Sequence, residues 1–261
     1  MLKPSLKGVS LEVSLKNIVS LRDAFAFAGH IQSAAKEAGR EVLPEFYQFP
    51  VFYYSNHLSV MGEGDVLVEQ DHLDKLDFEL EVAIVIGKKG KNIKAKDCRE
   101  YIAGLTIMND FSARTMQWKE MKLKLGPAKG KDFATALGPN IVPLNNLDTY
   151  QTDTPKGPVW NLPMCAYLNG KKISSGNLKD MHFTFGEIIE RCSYGTTLYP
   201  GEVIGSGTVG TGCLRELNYI WREEAKLKNT DFEDIWLKPD DVIVLEVEGL
   251  GKLENKIVLR T

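Results

Sequence analysis

The eleven residues Asp77-Phe78-Glu79-Leu80-Glu81-Val82-Ala83-Ile84-Val85-Ile86-Gly87 restrict the fold more than any other stretch of the chain. Side chains alternate across a strand, so Glu79 and Glu81 share one face while Phe78, Leu80 and Val82 share the other. The run then turns continuously apolar, the pattern of a strand covered on both sides. Two glutamates entering such a sheet have to be neutralised, paired or bound to a cation, because an uncompensated buried carboxylate is very costly. About thirty residues later, Asn109-Asp110-Phe111-Ser112-Ala113-Arg114 adds a third carboxylate with an arginine one helical turn beyond it. Three carboxylates, Glu79, Glu81 and Asp110, suit Mg2+ or Mn2+ and leave coordination positions for water and substrate.

Three ionised acids and one divalent cation sum to −1, so an anionic substrate would need nearby positive charge; Arg114, Lys129 and Lys131 are the candidates. Asp110, Arg114 and Gln117 stand at i, i+4 and i+7, one face of a helix. A guanidinium there can bind a substrate carboxylate through two parallel hydrogen bonds. The glycine-rich segments 126–133 and 205–212 lack the spacing of phosphate or dinucleotide loops. Their glycines would instead let backbone, Lys131 and the Thr208 hydroxyl approach a small ligand closely.

At 261 residues the chain can build one large core, and its net charge of −3 gives no electrostatic reason for a nucleic-acid or membrane partner. No apolar run reaches the length of a membrane span. Cys98, Cys165, Cys192 and Cys213 form no close-spaced pair, so they read as reduced buried thiols in a cytoplasmic protein.

The pattern predicts a helix over 21–40, a strand over 51–54, a turn at 61–65, a short helix at 95–103, a strand over 105–108 and a helix over 112–124. The second half reads as strands and turns, with a hairpin at Asn169-Gly170 and one helix over 184–192. Helices and strands do not alternate regularly, which gives a mainly β fold with some α, a mixed β-sandwich roll with peripheral helices. Residues 1–50 are expected to form a small N-terminal helical subdomain and 51–261 the main domain.

Over roughly residues 50–261 the chain resembles the fumarylacetoacetate hydrolase superfamily. The resemblance rests on the DFELE strand at 77–87, NDFSARTMQ at 109–117, GPAKGKDFAT at 126–135, YLNG at 167–170, PGEVIGSGTVGTG at 200–212 and VEGLGKLEN at 247–255. It implies Mg2+ or Mn2+ on Glu79, Glu81 and Asp110, with Lys131 as the active-site lysine. Arg114, Gln117 and Thr208 would hold the carboxylate and oxo groups of a small oxo-acid substrate. It also implies the superfamily's catalytic-domain roll, a lid over 1–50, and a homodimer.

Many single-domain relatives carry His-x-x-Glu on a lid that activates water. Here His30 is followed by Ser33 at that position, and Glu37 lies two helical turns away; His57 is a second candidate base. The expected reaction is metal-dependent hydrolysis of a C–C bond in an acylpyruvate-like or fumarylacetoacetate-like acid, with His30 as base and Lys131 stabilising the oxyanion. The alternatives are decarboxylation of an oxaloacetate-type acid, hydration or isomerisation of an unsaturated oxo acid, and binding of metal and oxo acid without turnover.

Overall fold

The computed structural model describes residues 18–260. In chain order the strands of its two main sheets begin with β1 (Ser20–Ala24), β2 (Phe52–Ser55), β3 (Val60–Met61), β4 (Gly64–Val68), β5 (Leu80–Ile86) and β6 (Ile102–Asp110). They continue with β7 (Thr135–Leu137), β8 (Pro163–Leu168), β9 (Lys171–Asn177), β10 (Glu202–Gly205), β11 (Val242–Val247) and β12 (Gly251–Leu259). Four α-helices accompany them among the described residues: α1 (Ala28–Glu37), α2 (Arg114–Met121), α3 (Phe185–Ser193) and α4 (Leu214–Lys228).

The larger sheet has seven strands in the order β2-β1-β10-β5-β6-β7-β3, and the other has five in the order β9-β8-β11-β12-β4. The alternation in β5 decides how they meet. Leu80, Val82, Ile84 and Ile86 enter one apolar cluster with Met164 and Ala166 of β8, Ile243 and Leu245 of β11, and Leu253 and Ile257 of β12. Ala83 and Val85 point the other way, into a smaller cluster with Leu21, Met108, Leu137 and Val203. Both faces of β5 are therefore covered, as its apolar run requires, and Glu81 is carried onto the second face. The mixed strand-rich sandwich with peripheral helices agrees with the sequence reading.

Three expectations are corrected. The helix read over 21–40 is a strand, β1, followed by α1 from Ala28 onward. Alanines at 24, 26 and 28 favour helix, but β1 gains a parallel partner in β10 and an antiparallel one in β2, and tertiary pairing overrides propensity. For the same reason residues 1–50 are not a separate subdomain in their described part: β1 lies inside the larger sheet, and residues 1–17 fall outside the described residues. The third is α4, for which no helix was expected. Leu214, Leu217 and Ala225 are its buried stripe, with no glycine or proline across fifteen residues.

Helix α3 shows sequence chemistry setting a boundary. Thr184 accepts from the Glu187 N–H at 3.2 Å, and Glu187 accepts from the Thr184 N–H at 2.9 Å, a reciprocal cap that fixes its first turn.

Candidate active site

Register places the acids. Across the larger sheet Tyr53 of β2 is opposite Asp23 of β1, Asp23 is opposite Gly205 of β10, and Gly205 is opposite Ala83 of β5. Glu81 lies two residues before Ala83, and Asp110 ends β6 beside Thr135 of β7. Glu79 precedes β5; its N–H donates to the Asn109 side chain at 3.0 Å, and its carbonyl accepts from the Asp110 N–H at 3.3 Å. Asn109 thus clamps one acid against the next.

Asp23, Glu79, Glu81 and Asp110 converge so that one oxygen from each lies within 4.8 Å of the others, all buried. Glu79, Glu81 and Asp110 were expected together; Asp23 was not, because its strand was read as helix. Lys131 bridges Glu79 and Asp110 at 2.5 Å each. Tyr53 donates its hydroxyl to Asp110 Oδ2 at 2.5 Å. Asp110 Oδ1 is buried with no hydrogen-bond partner among the described residues. A carboxylate oxygen left bare inside a four-acid cluster, where two cations, Lys131 and Arg114, face four acids, fits a hard divalent ion.

The electrostatics divide the acids into two kinds. Burial opposes ionisation of Glu79, but Lys131 and Arg114 hold it well below the usual carboxylate range. Burial pushes Glu81 up, reinforced by the charges of Asp23 and Glu79. Burial and then Asp110 push Asp23 up to about 7. Asp23 and Glu81 both accept from the Gly207 N–H, at 3.2 and 3.0 Å, and hold a proton that a metal would displace.

That proton gives a stability prediction. The folded chain keeps it on Asp23 up to about pH 7, whereas the unfolded carboxyl releases it near the ordinary 3.8. Stability from this group is therefore complete below about pH 4 and lost as pH rises toward 7. The thermal midpoint of chelator-treated protein, taken as the difference between wild type and Asp23→Asn, should fall across that window. A difference independent of pH would contradict the shifted carboxyl.

Gly205 makes room for the pair. A Cβ there would stand 2.4 Å from Asp23 Oδ1, 2.4 Å from Met108 Cε and 3.0 Å from Glu81 Oε2. Gly205→Ala is expected to weaken Mg2+ or Mn2+ binding about 10–100-fold, the usual cost of displacing ligand-supporting groups, measurable by calorimetric titration.

The Arg114 guanidinium is buried and ion-paired to Asp77 Oδ2 at 2.7 Å and to Glu79 Oε1 at 2.8 Å, in place of the pair with Asp110 that its i, i+4 spacing offered. Asp77 in turn accepts the Leu214 and Arg215 N–H groups at 2.7 and 3.1 Å, capping α4 from outside. Gln117 accepts from Arg114 at 3.1 Å and reaches the cluster only through it, whereas the Thr208 hydroxyl donates directly to Glu81 at 3.3 Å.

His30, on the first turn of α1, is buried with its Nδ1 hydrogen-bonded to Glu216 of α4. The carboxylate partner of His30 is therefore not on α1, where Ser33 stands, but 186 residues along the chain. Glu216 Oε2 accepts the Thr211 N–H at 3.0 Å, which fixes the carboxylate. Glu37 pairs with Arg215 at 2.9 Å, tying α1 to α4. His57 lies in a short 3-10 turn, 57–59, and is absent from these hydrogen bonds. Glu216 was legible only as a first-turn acid of a helix, and that helix was not foreseen.

The family model for the fumarylacetoacetate (FAA) hydrolase C-terminal domain matches residues 21–258. The mitochondrial oxaloacetate tautomerase FAHD2A of Homo sapiens is 33% identical over 210 residues, 80% of this chain. The chain spans 59% of that relative's length. The fumarylacetoacetate hydrolase of psychrophilic Exiguobacterium antarcticum superposes with a TM-score of 0.66 at 26% identity, covering 92% of this chain and 75% of that one. The fumarylpyruvate hydrolase of Pseudomonas aeruginosa, in complex with Mn2+ and pyruvate, shares the fold with a TM-score of 0.69 at 17% identity, over 93% and 91% of the two chains. No helix among the described residues is long and apolar enough to cross a membrane.

Proposed function

The chain belongs to the fumarylacetoacetate hydrolase family, and from that premise we propose that it is a Mg2+- or Mn2+-dependent hydrolase cleaving a C–C bond in a small dioxo acid of the acylpyruvate type. The observation that carries this reading is the His30–Glu216 pair beside the acid cluster. Glu79, Glu81 and Asp110 would hold the metal, with Asp23 in position to assist or to receive the displaced proton. When bound, the metal supplies Lewis-acid polarisation of the substrate's oxo and carboxylate oxygens.

The chain's own residues supply the proton transfers. A carboxylate at Nδ1 requires that nitrogen to carry the proton, which leaves Nε2 as the basic one. His30 then takes a proton from water as the oxygen attacks the distal carbonyl, and Glu216 stabilises the resulting imidazolium. When the C–C bond breaks, the same proton returns to the carbon of the departing pyruvate unit, so His30 ends as it began. Lys131 balances the charge of Glu79 and Asp110, and Arg114 positions Glu79.

A second reading, keto–enol tautomerisation of an oxaloacetate-type acid, is favoured by the human relative's activity and needs only the base and the metal. Acetylpyruvate and oxaloacetate separate the two. Formation of acetate and pyruvate with metal, absent in Glu79→Ala/Glu81→Ala, supports hydrolysis. Metal-dependent acceleration of oxaloacetate enol–keto exchange without cleavage of acetylpyruvate supports tautomerisation and overturns the hydrolase.

A further inference from the structure

Beside the four acids the fold gathers a second donor set of a different chemical kind. His30 of α1, Cys213 in the N-cap position of α4 and Glu216 in its first turn each offer one ligand atom, and the three atoms lie within 4.8 Å of one another. All three residues are buried, and the proton chemistry above makes no use of the Cys213 thiol. Its one hydrogen bond among the described residues is to Glu216. Imidazole and thiolate are borderline-to-soft donors, poorly matched to Mg2+ and well matched to Zn2+.

The spacing supports a tetrahedral ion. With Zn–S of about 2.3 Å and Zn–O of about 2.1 Å, a tetrahedral angle sets sulfur and oxygen about 3.6 Å apart. Cys213 Sγ and Glu216 Oε1 stand 3.7 Å apart. His30 Nδ1, now hydrogen-bonded to the same oxygen, would stand roughly 3.4 Å from it around such an ion. The Thr211 N–H meanwhile holds the other oxygen of Glu216, the kind of outer contact that orients a ligating carboxylate.

We propose that His30, Cys213 and Glu216 form a second metal site, selective for Zn2+ and similar borderline ions over Mg2+ and separate from the acid cluster. Zn2+ entry releases one proton to solvent, from the Cys213 thiol, while the His30 proton passes from Nδ1 to Nε2, and it leaves a fourth position for water. An occupied site takes His30 away from Glu216, so Zn2+ inhibits turnover. That consequence rests on His30 being the base, whereas the site itself does not.

The test uses the whole chain held in excess Mg2+, so that the acid cluster is filled, and titrates it with Co2+ and then Zn2+. One equivalent of Co2+ should give a thiolate-to-cobalt charge-transfer band that Zn2+ abolishes. In Cys213→Ser, with Cys98, Cys165 and Cys192 retained, the band should vanish and Zn2+ affinity should fall at least tenfold. A band that survives in this variant, or a Zn2+ affinity that falls in Glu81→Gln and not in Cys213→Ser, overturns the site. X-ray absorption at the zinc edge of the unaltered chain needs no variant: one sulfur neighbour supports the site, and a shell of nitrogen and oxygen alone refutes it. Neither readout depends on the reaction catalysed, so failure of the hydrolase reading and failure of this one are told apart.

Discussion

Replacing His30 by alanine is expected to lower kcat for metal-dependent acylpyruvate cleavage by about 10²–10⁴-fold, the range that a positioned general base supplies. Glu216→Gln should approach that loss, because an amide can present either its oxygen or its NH2 group to Nδ1 and no longer fixes which ring nitrogen carries the proton. The double variant should be little worse than either single one, since two residues acting as a unit are not additive. KM should change much less than kcat, because neither side chain belongs to the oxygen cluster that would hold the substrate through metal. Additive losses, or full activity in Glu216→Gln, would show that the pair does not act as one base. Ser33→Glu provides a complementary check: with Glu216 already in place, a glutamate on α1 should not raise kcat.

The largest expected effect on stability comes from Arg114→Met. Removing one partner of a buried ion pair leaves the other uncompensated and costs about 3–5 kcal/mol. Arg114 is wholly buried and serves two carboxylates, Asp77 and Glu79. For a chain of this size that corresponds to a thermal midpoint lowered by roughly 10 °C. Arg114→Lys should recover only a small part, because an ammonium cannot reproduce the planar fork that spans both acids. The damage should also reach both halves of the site. Glu79 loses its anchor in the acid cluster, and Asp77 loses the cation that balances it while it caps α4, the helix carrying Glu216. Calorimetric unfolding of both variants, with Mg2+ affinity measured alongside, would check this. A midpoint within a degree or two of wild type would mean that Arg114 is not the link between the two halves.

Several parts of this arrangement were readable residue by residue. The E-x-E of β5 alone would also fit a solvated strand face, but the apolar run behind it and the second acidic segment at Asn109-Asp110 favour a strand covered on both faces, and the structure buries Glu79, Glu81 and Asp110 together with Lys131. The capped α3 and the Asn169-Gly170 hairpin were likewise local chemistry. Arg114 shows where such reading stops. Its spacing from Asp110 suggested a helical-face pair or a substrate ligand, yet its partners are Asp77 and Glu79, brought there by the pairing of Leu76–Asp77 with Ser112–Ala113.

The sequence by itself determined the strand periodicity, the three acids and the superfamily motifs, because each depends on residues close together in the chain. Only the tertiary structure decided the rest. Asp23 reaches the acids because β1 inserts between β2 and β10, and Gly205 offers no side chain to keep it out. Glu216 reaches His30 because α4 packs against α1, with Asp77 and Arg215 fixing its start. Contacts across 180 residues or more leave no periodic trace, since their free energy comes from burial and charge pairing once the sheet has closed.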